Sequence, residues 1–157
     1  MNVLSLYRQV SRLPKGDRIF SRLFTLKAPY FGTVRPVFVE LRPNYAELTI
    51  RKRRRVQNHI GTVHVIAICN GLEAAMGALA EATVPSSKRW IPKGMDVSYT
   101  ARATSDITCR AETQPEQWTS EALPDTGGDL PVRVWGTTDD GTVVIEGTIR
   151  LWVTPKK

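Results

Sequence analysis

The stretch that decides the fold runs from Asn58 to Ala82 and reads NHIGTVHVIAICNGLEAAMGALAEA. It opens with polar residues and glycine, and it continues as a long apolar segment that is dense in alanine and glycine. Glycine is a poor helix former, so its repeated use in a helical pattern indicates a surface that another segment approaches closely. We therefore interpret this stretch as a loop followed by one long, largely buried helix.

Three polar residues, His64, Asn70 and Glu73, interrupt the apolar segment. A buried helix rarely carries such groups, because burying an unpaired charge is costly. Helical geometry places His64 and Glu73 roughly 180° apart around the helix and about 13 Å apart along it. Asn70 and Gly77 share the face of Glu73, because residues three or four positions apart are neighbours. A site that uses both His64 and Glu73 is therefore most easily built from two antiparallel copies of the helix.

The pattern Asn58-x-x-Gly61-x-x-His64, followed by Glu73, resembles the signature of the hotdog-fold thioesterase superfamily. It is most similar to acyl-CoA thioesterases with an Asn-x-x-Gly-x-x-His-Gly-Gly motif and, among these, to hotdog proteins of unknown function. The resemblance extends over about residues 35–155. It implies a homodimer in which one sheet continues into the other, or a tetramer of such dimers.

The resemblance also implies roles for individual residues. Glu73 would be the nucleophile or general base, and the backbone N–H of Val65 would polarise the thioester carbonyl. His64 would orient the thioester or hold the loop, and Asn58 would hold a water molecule or the loop. The family motif has two glycines where this chain has Val65 and Ile66, which narrows the approach to the site.

The remaining pattern predicts an α+β protein. Strand patterns occur at Val37–Leu41, Ala46–Arg51, Lys88–Thr104, Asp106–Thr113, Leu130–Thr138 and Thr142–Val153. We expect a hairpin, the central helix and then four strands in a meander. Long antiparallel strands need an apolar partner on one face, which the helix can supply. This arrangement agrees with what the resemblance implies, namely the hotdog fold, an antiparallel curved sheet wrapped around one long central helix.

An N-terminal helical extension, residues 1–34, is predicted to precede the hotdog domain, residues 35–157. Residues 2–13 have the apolar spacing of a short amphipathic helix. Asp17 is placed to cap a second helix that runs to about Lys27. A role at a membrane surface or as a substrate lid is open, but we favour a cover packed on the main domain, since amphipathic helices usually bury their apolar face against protein.

The chain has a formal net charge of +7, which suits an anionic partner such as nucleic acid, a membrane surface or coenzyme A. Five consecutive cations, Arg51 to Arg55, precede the central motif. Phosphate binding, a solvated strand end and nucleic-acid contact are all open interpretations. No aromatic residues are interleaved with the run, so nucleic acid is the least favoured. Arg53, Arg54 and Arg55, together with Asn70, are the candidate residues for binding coenzyme A.

Two cysteines, Cys69 and Cys109, provide neither a disulfide framework nor a metal-ligand cluster. We expect buried thiols in a reducing cytoplasm, no metal, and no cofactor other than coenzyme A as part of the substrate. The first residues lack the continuous apolar run of a signal peptide. The window Val63–Val84 is apolar enough for a membrane span, but its polar residues argue against one.

The leading functional hypothesis is hydrolysis of an acyl-CoA or acyl-carrier thioester. The alternative is a non-catalytic acyl-CoA or lipid binder, which Val65 and Ile66 in place of glycines favour. A hotdog hydratase is a third hypothesis, but its motif of an Asp and a His within a short segment has no counterpart here. Whether the protein is an enzyme therefore stays open at this point. Glu81 and Trp90 are interpreted as surface or core residues.

Overall fold

The computed structural model describes residues 2–119, 123 and 126–156. We name the 3₁₀ segment that follows the second helix the bridging turn. The elements in chain order are α1 (Val3–Val10), α2 (Gly16–Lys27), the bridging turn (Pro29–Thr33), β1 (Val37–Arg42), β2 (Tyr45–Ile50), a 3₁₀ turn (Arg54–Val56), α3 (Val65–Thr83), β3 (Lys88–Tyr99), β4 (Ile107–Glu112), a 3₁₀ turn (Pro115–Trp118), β5 (Gly128–Thr137) and β6 (Val143–Pro155).

The six strands form one antiparallel sheet in the order β1-β2-β4-β5-β6-β3. The predicted antiparallel sheet around one long helix, preceded by a helical segment, is confirmed. The predicted four-strand meander is wrong, because β4, β5 and β6 are successive neighbours but β3 does not lie beside β4. Strand β3 instead pairs with β6 at the edge of the sheet. The two strands match in length, with 12 and 13 residues, and hydrophobic alternation cannot reveal which strand is the partner.

Strand β3 also ends earlier than predicted, at Tyr99 rather than Thr104. The backbone N–H of Val63 donates to the carbonyl of Ala103 at 2.9 Å, so the chain turns towards the start of α3. The register between β3 and β6 shifts between Pro92 and Gly94. These features bring the end of β3 close to the loop that precedes α3.

Helix α3 lies against the sheet as the core helix. By length and hydropathy it could cross a membrane, but 61% of that window is buried inside the protein. Close approach is confirmed at Gly71, where an added Cβ would overlap the Ile50 side chain and lie 2.9 Å from Sγ of Cys109. The glycine therefore allows α3 to pack directly on β2 and β4.

The segment from α1 to the bridging turn, which we call the arm, packs against the sheet. Phe20 is fully buried, and its ring lies 5.2 Å from that of Phe38 in β1. The prediction that Asp17 caps α2 is wrong, since Lys15 occupies the cap position without a side-chain hydrogen bond. Gly16, the first residue of α2, packs directly on the backbone of Val10, where a Cβ would not fit. The arm thus covers one side of the core, while the division at residue 34 stays a prediction.

Candidate functional site

The loop before α3 is organised by Asn58. Its Oδ1 accepts the backbone N–H groups of Ile60 at 3.2 Å and Thr62 at 3.1 Å, and its Nδ2 donates to Oγ1 of Thr62 at 2.8 Å. Gly61 has φ +77°, a left-handed conformation that favours glycine. The first half of the predicted motif therefore shapes a tight loop, and Asn58 uses its amide within that loop.

His64 caps α3 and does not lie inside it. Its Nδ1 accepts the N–H of Ile66 at 3.1 Å, and its carbonyl accepts the N–H of Ala67 at 2.9 Å. The N–H of Val65 donates no hydrogen bond within the residues that the structure describes. A free N–H at a helix start carries partial positive charge and can stabilise an oxyanion. Asn58, His64 and Val65 line one cavity of about 290 Å³, which we call the loop cavity.

Glu73 lies in a different cavity, of about 310 Å³, between α3 and the arm. This arm cavity is lined mainly by apolar residues, namely Val3, Phe24, Phe31, Met76 and Trp90. The half-buried Glu73 makes no hydrogen bond or ion pair with any described residue. The structure therefore places the predicted carboxylate in apolar surroundings, apart from the loop cavity of the same chain.

A third cavity, of about 320 Å³, is lined by Arg55, His64, Asn70 and Thr33 among other residues, and we call it the basic cavity. Asn70 is only 8% exposed. Its Nδ2 lies 3.3 Å from Oγ1 of Thr33, while its buried Oδ1 has no partner among the residues that the structure describes. An unsatisfied buried acceptor costs about 1–3 kcal/mol, so a donor from a bound molecule is a natural partner.

The basic run divides into residues with different environments. Arg53 donates from Nη2 to the carbonyl of Thr33 at 2.7 Å and so holds the bridging turn. Partial burial lowers the pKa of Arg53, and the nearby charges of Arg35 and Arg55 lower it further. Arg54 and Arg55 are exposed, and Arg55 lines the basic cavity. Of the predicted phosphate ligands, Arg55 thus lies in the same cavity as Asn70.

Sequence reasoning missed the part that the bridging turn plays. It assigned no functional part to residues 28–33 and interpreted Trp90 as a surface or core residue. In the structure, Phe31 and Trp90 line the arm cavity, and Thr33 lines the basic cavity. The adjacent aromatics at positions 30 and 31, directly after a proline, were the signal available in the sequence. Within the described residues, no three His, Cys, Asp or Glu side chains are grouped to hold a metal ion.

Comparison with known proteins agrees with this architecture. The family model for a domain of unknown function, DUF4442, matches residues 16–153. The crystal structure of a structural-genomics protein designated APC5556 is 39% identical, with a TM-score of 0.83 over 98% of this chain and 99% of that one. A protein of unknown function from Pseudomonas aeruginosa is 22% identical, with a TM-score of 0.78 over 92% and 97% of the two chains. A thioesterase family protein from Silicibacter pomeroyi is 17% identical, with a TM-score of 0.66 over 91% and 100%.

A comparison with curated proteins finds no significant match. The family match covers most of the chain, and the similar structures share its sheet and central helix. The chain therefore belongs to the DUF4442 family and has the hotdog fold.

Proposed function

We propose that this protein hydrolyses an acyl thioester and that Glu73 is the reacting carboxylate. The observation that carries the proposal is the position of Glu73, unpaired among the described residues and set in the wall of the mainly apolar arm cavity. A charge in such surroundings costs free energy, and charges of this kind are concentrated at functional sites. Solved structures with the same fold include a thioesterase family protein, which agrees with this chemistry.

Glu73 can act in two ways. It can take a proton from a water molecule as that water attacks the thioester carbonyl, or it can attack the carbonyl itself and form an anhydride that water then hydrolyses. In both routes the carbon–sulfur bond breaks, the thiol leaves with a proton, and the water oxygen ends in the carboxylic acid. Glu73 is regenerated as the carboxylate in either case.

The proposed donor to the thioester oxygen is the N–H of Val65 in a second copy of the chain. Val65 and Glu73 line different cavities of one chain. Antiparallel pairing of two α3 helices would bring the start of each helix to the middle of the other, and a two-fold axis would create the site twice. Among the described residues, no strand pairs with the outer edge of β3, and pairing with a second copy would satisfy the backbone groups of that edge.

The proposed carrier of the acyl group is coenzyme A or another pantetheine-bearing carrier. Arg54 and Arg55 would contact the phosphates, which they can reach as exposed cations. The unpaired Oδ1 of Asn70 would accept an amide N–H of the pantetheine arm. The free thiols Cys69 and Cys109 suit a reducing cytoplasm, which we propose as the location.

A non-catalytic acyl-CoA binder is the second candidate. Ile66, with 57% of its surface exposed beside Val65, supports it because this side chain narrows the approach to the helix start. Release of thiol from a panel of acyl-CoA thioesters separates the two functions. We expect saturable release that depends on Glu73. Tight acyl-CoA binding without release would identify a binder instead.

A further inference from the structure

We propose that the acyl group is a straight apolar chain of about six to ten carbons, held in the arm cavity of the same chain that supplies Glu73. This inference rests on the proposed function, since it names the substrate class of that site. The lining of the arm cavity is mainly apolar, and its apolar side chains come from four different elements, through Val3, Phe24, Phe31 and Met76. Such a lining suits a hydrocarbon chain, while Lys27, a cation of the same lining, is exposed to solvent.

The cavity has a direction along α3. Its residues on that helix, Glu73, Met76, Gly77 and Glu81, follow one face towards the C-terminal end. Eight residues of helix span about 12 Å. The acyl chain would start with its carbonyl beside Glu73 and extend towards Glu81. Asn70, which lines the basic cavity, lies one turn nearer the start of α3 than Glu73. The carrier and the acyl chain would therefore lie on opposite sides of Glu73.

The far end of the cavity limits the length of the chain. Trp90 and Glu81 also line a neighbouring cavity whose wall includes the cations Lys88 and Arg89. A hydrocarbon chain that passed Trp90 would therefore have to desolvate charged groups. The arm cavity has a volume of about 310 Å³. With about 12 Å of α3 along its wall, it suits a chain of medium length.

Gly77 keeps this cavity open. An added Cβ at Gly77 would meet only Cη2 of Trp90, at 3.6 Å, which is an ordinary contact. Packing therefore does not require glycine at this position, in contrast to Gly71, where a Cβ would overlap Ile50. A larger residue at Gly77 would fill the cavity one turn beyond Glu73. We infer that Gly77 and Trp90 together determine the acceptable chain length.

The test measures binding of the acyl chain in the absence of turnover. Isothermal titration with S-alkyl pantetheine thioethers of 4 to 14 carbons, which cannot be hydrolysed, reports chain-length preference without catalysis. We expect an affinity maximum between six and ten carbons in the wild type. Gly77→Leu should weaken binding of the ten-carbon thioether at least tenfold and leave the four-carbon one unchanged, since a single methylene in an apolar pocket changes recognition 10- to 200-fold.

Two further variants complete the test. Gly77→Ala should shift the maximum in the same direction by a smaller amount, and it favours the helix, so it serves if Gly77→Leu does not fold. Trp90→Leu should move the maximum to longer chains. Trp135→Leu is the matched control, because Trp135 packs on Arg133 in β5, outside the arm cavity.

The outcomes separate this inference from the proposed function. Affinity that rises steadily to 14 carbons, or a maximum that Gly77→Leu and Gly77→Ala leave in place, would overturn the acyl cavity. Failure of every thioether to bind would overturn it as well. A maximum that shifts as expected, in a protein that hydrolyses no acyl thioester, would support the cavity and reject the enzyme.

Discussion

The Nη2 atom of Arg53 donates a 2.7 Å hydrogen bond to the carbonyl oxygen of Thr33, which fastens the middle of the basic run to the bridging turn. Thr33 in turn meets Asn70 through its hydroxyl, so the turn is tied to α3 as well. The bridging turn contributes Phe31 to the arm cavity and Thr33 to the basic cavity. One hydrogen bond thus connects the basic run, which the sequence suggested as a phosphate site, to the bridging turn that lines both the arm cavity and the basic cavity.

This relationship predicts different effects for two arginines of the run. Arg53→Ala should lower the free energy of unfolding by about 1 kcal/mol, because it removes a hydrogen bond with a charged donor that is partly exposed. For a chain of this size that corresponds to a drop in Tm of about 2–4 °C. Arg55→Ala should leave Tm unchanged and raise KM for acyl-CoA more than for acyl-pantetheine, which lacks the nucleotide phosphates. The difference should shrink as salt is added.

Thermal melts and steady-state kinetics on both variants check this prediction. Arg54 is an exposed member of the same run, so the Tm of Arg54→Ala shows how much the loss of one positive charge alone changes stability. Equal changes of KM for acyl-CoA and acyl-pantetheine in Arg55→Ala would contradict a phosphate contact. An unchanged Tm in Arg53→Ala would contradict the bracing of the bridging turn.

The two glycines of α3 provide a matched pair for stability. Gly71→Ala should lower the free energy of unfolding by about 1–3 kcal/mol, because its Cβ would overlap Ile50 and crowd Cys109 in a close-packed core. Gly77→Ala should raise the free energy of unfolding by up to about 1 kcal/mol, because alanine is the better helix former and its Cβ has space beside Trp90. Urea denaturation midpoints measure both. Effects of the same sign would show that packing does not distinguish the two positions.

A shared site between subunits predicts complementation. Glu73→Ala removes the carboxylate, and Val65→Pro removes the proposed N–H donor. Val65 is the first residue of α3, where proline is well tolerated, and His64 has the extended ψ of 132° that a residue before proline prefers. Each homodimer should be inactive. After co-refolding, about half of the dimers would be mixed with one intact site each, so about a quarter of wild-type activity should return.

Circular dichroism and gel filtration first confirm that both variants fold and dimerise. Wild-type protein taken through the same refolding gives the reference activity. Mixed dimers that stay inactive while the refolded wild type is active would reject the shared site. A site within one chain would then have to be sought.

The sequence predicted the helices and strands more accurately than it predicted which strands pair in the sheet. The spacing of apolar residues identified α3 and the hairpin, because periodicity reports which face of an element is buried. It did not place β3 beside β6, since that pairing depends on the whole sheet. It treated His64 as continuous with the helix, and the structure shows that His64 caps the helix through Nδ1.

The candidate site was predictable in part for the same reason. Glu73 stood out as a charge in an apolar helix, and the structure places it against the arm cavity. The other wall of that cavity could not be foreseen, because Phe24 and Phe31 lie far from Glu73 in sequence and meet it only after the arm folds over α3. The unpaired Oδ1 of Asn70 is likewise visible only in three dimensions.

The most direct test of the central claim is the rate of thiol release by Glu73→Gln. This substitution keeps the shape of the side chain and removes its capacity as base or nucleophile, so kcat should fall by about 10²- to 10⁴-fold. Binding of S-octyl pantetheine and Tm should persist, and Glu146→Gln, the same change at an exposed site on β6, should retain wild-type turnover. A folded Glu73→Gln protein that releases thiol at a near-normal rate would contradict the account.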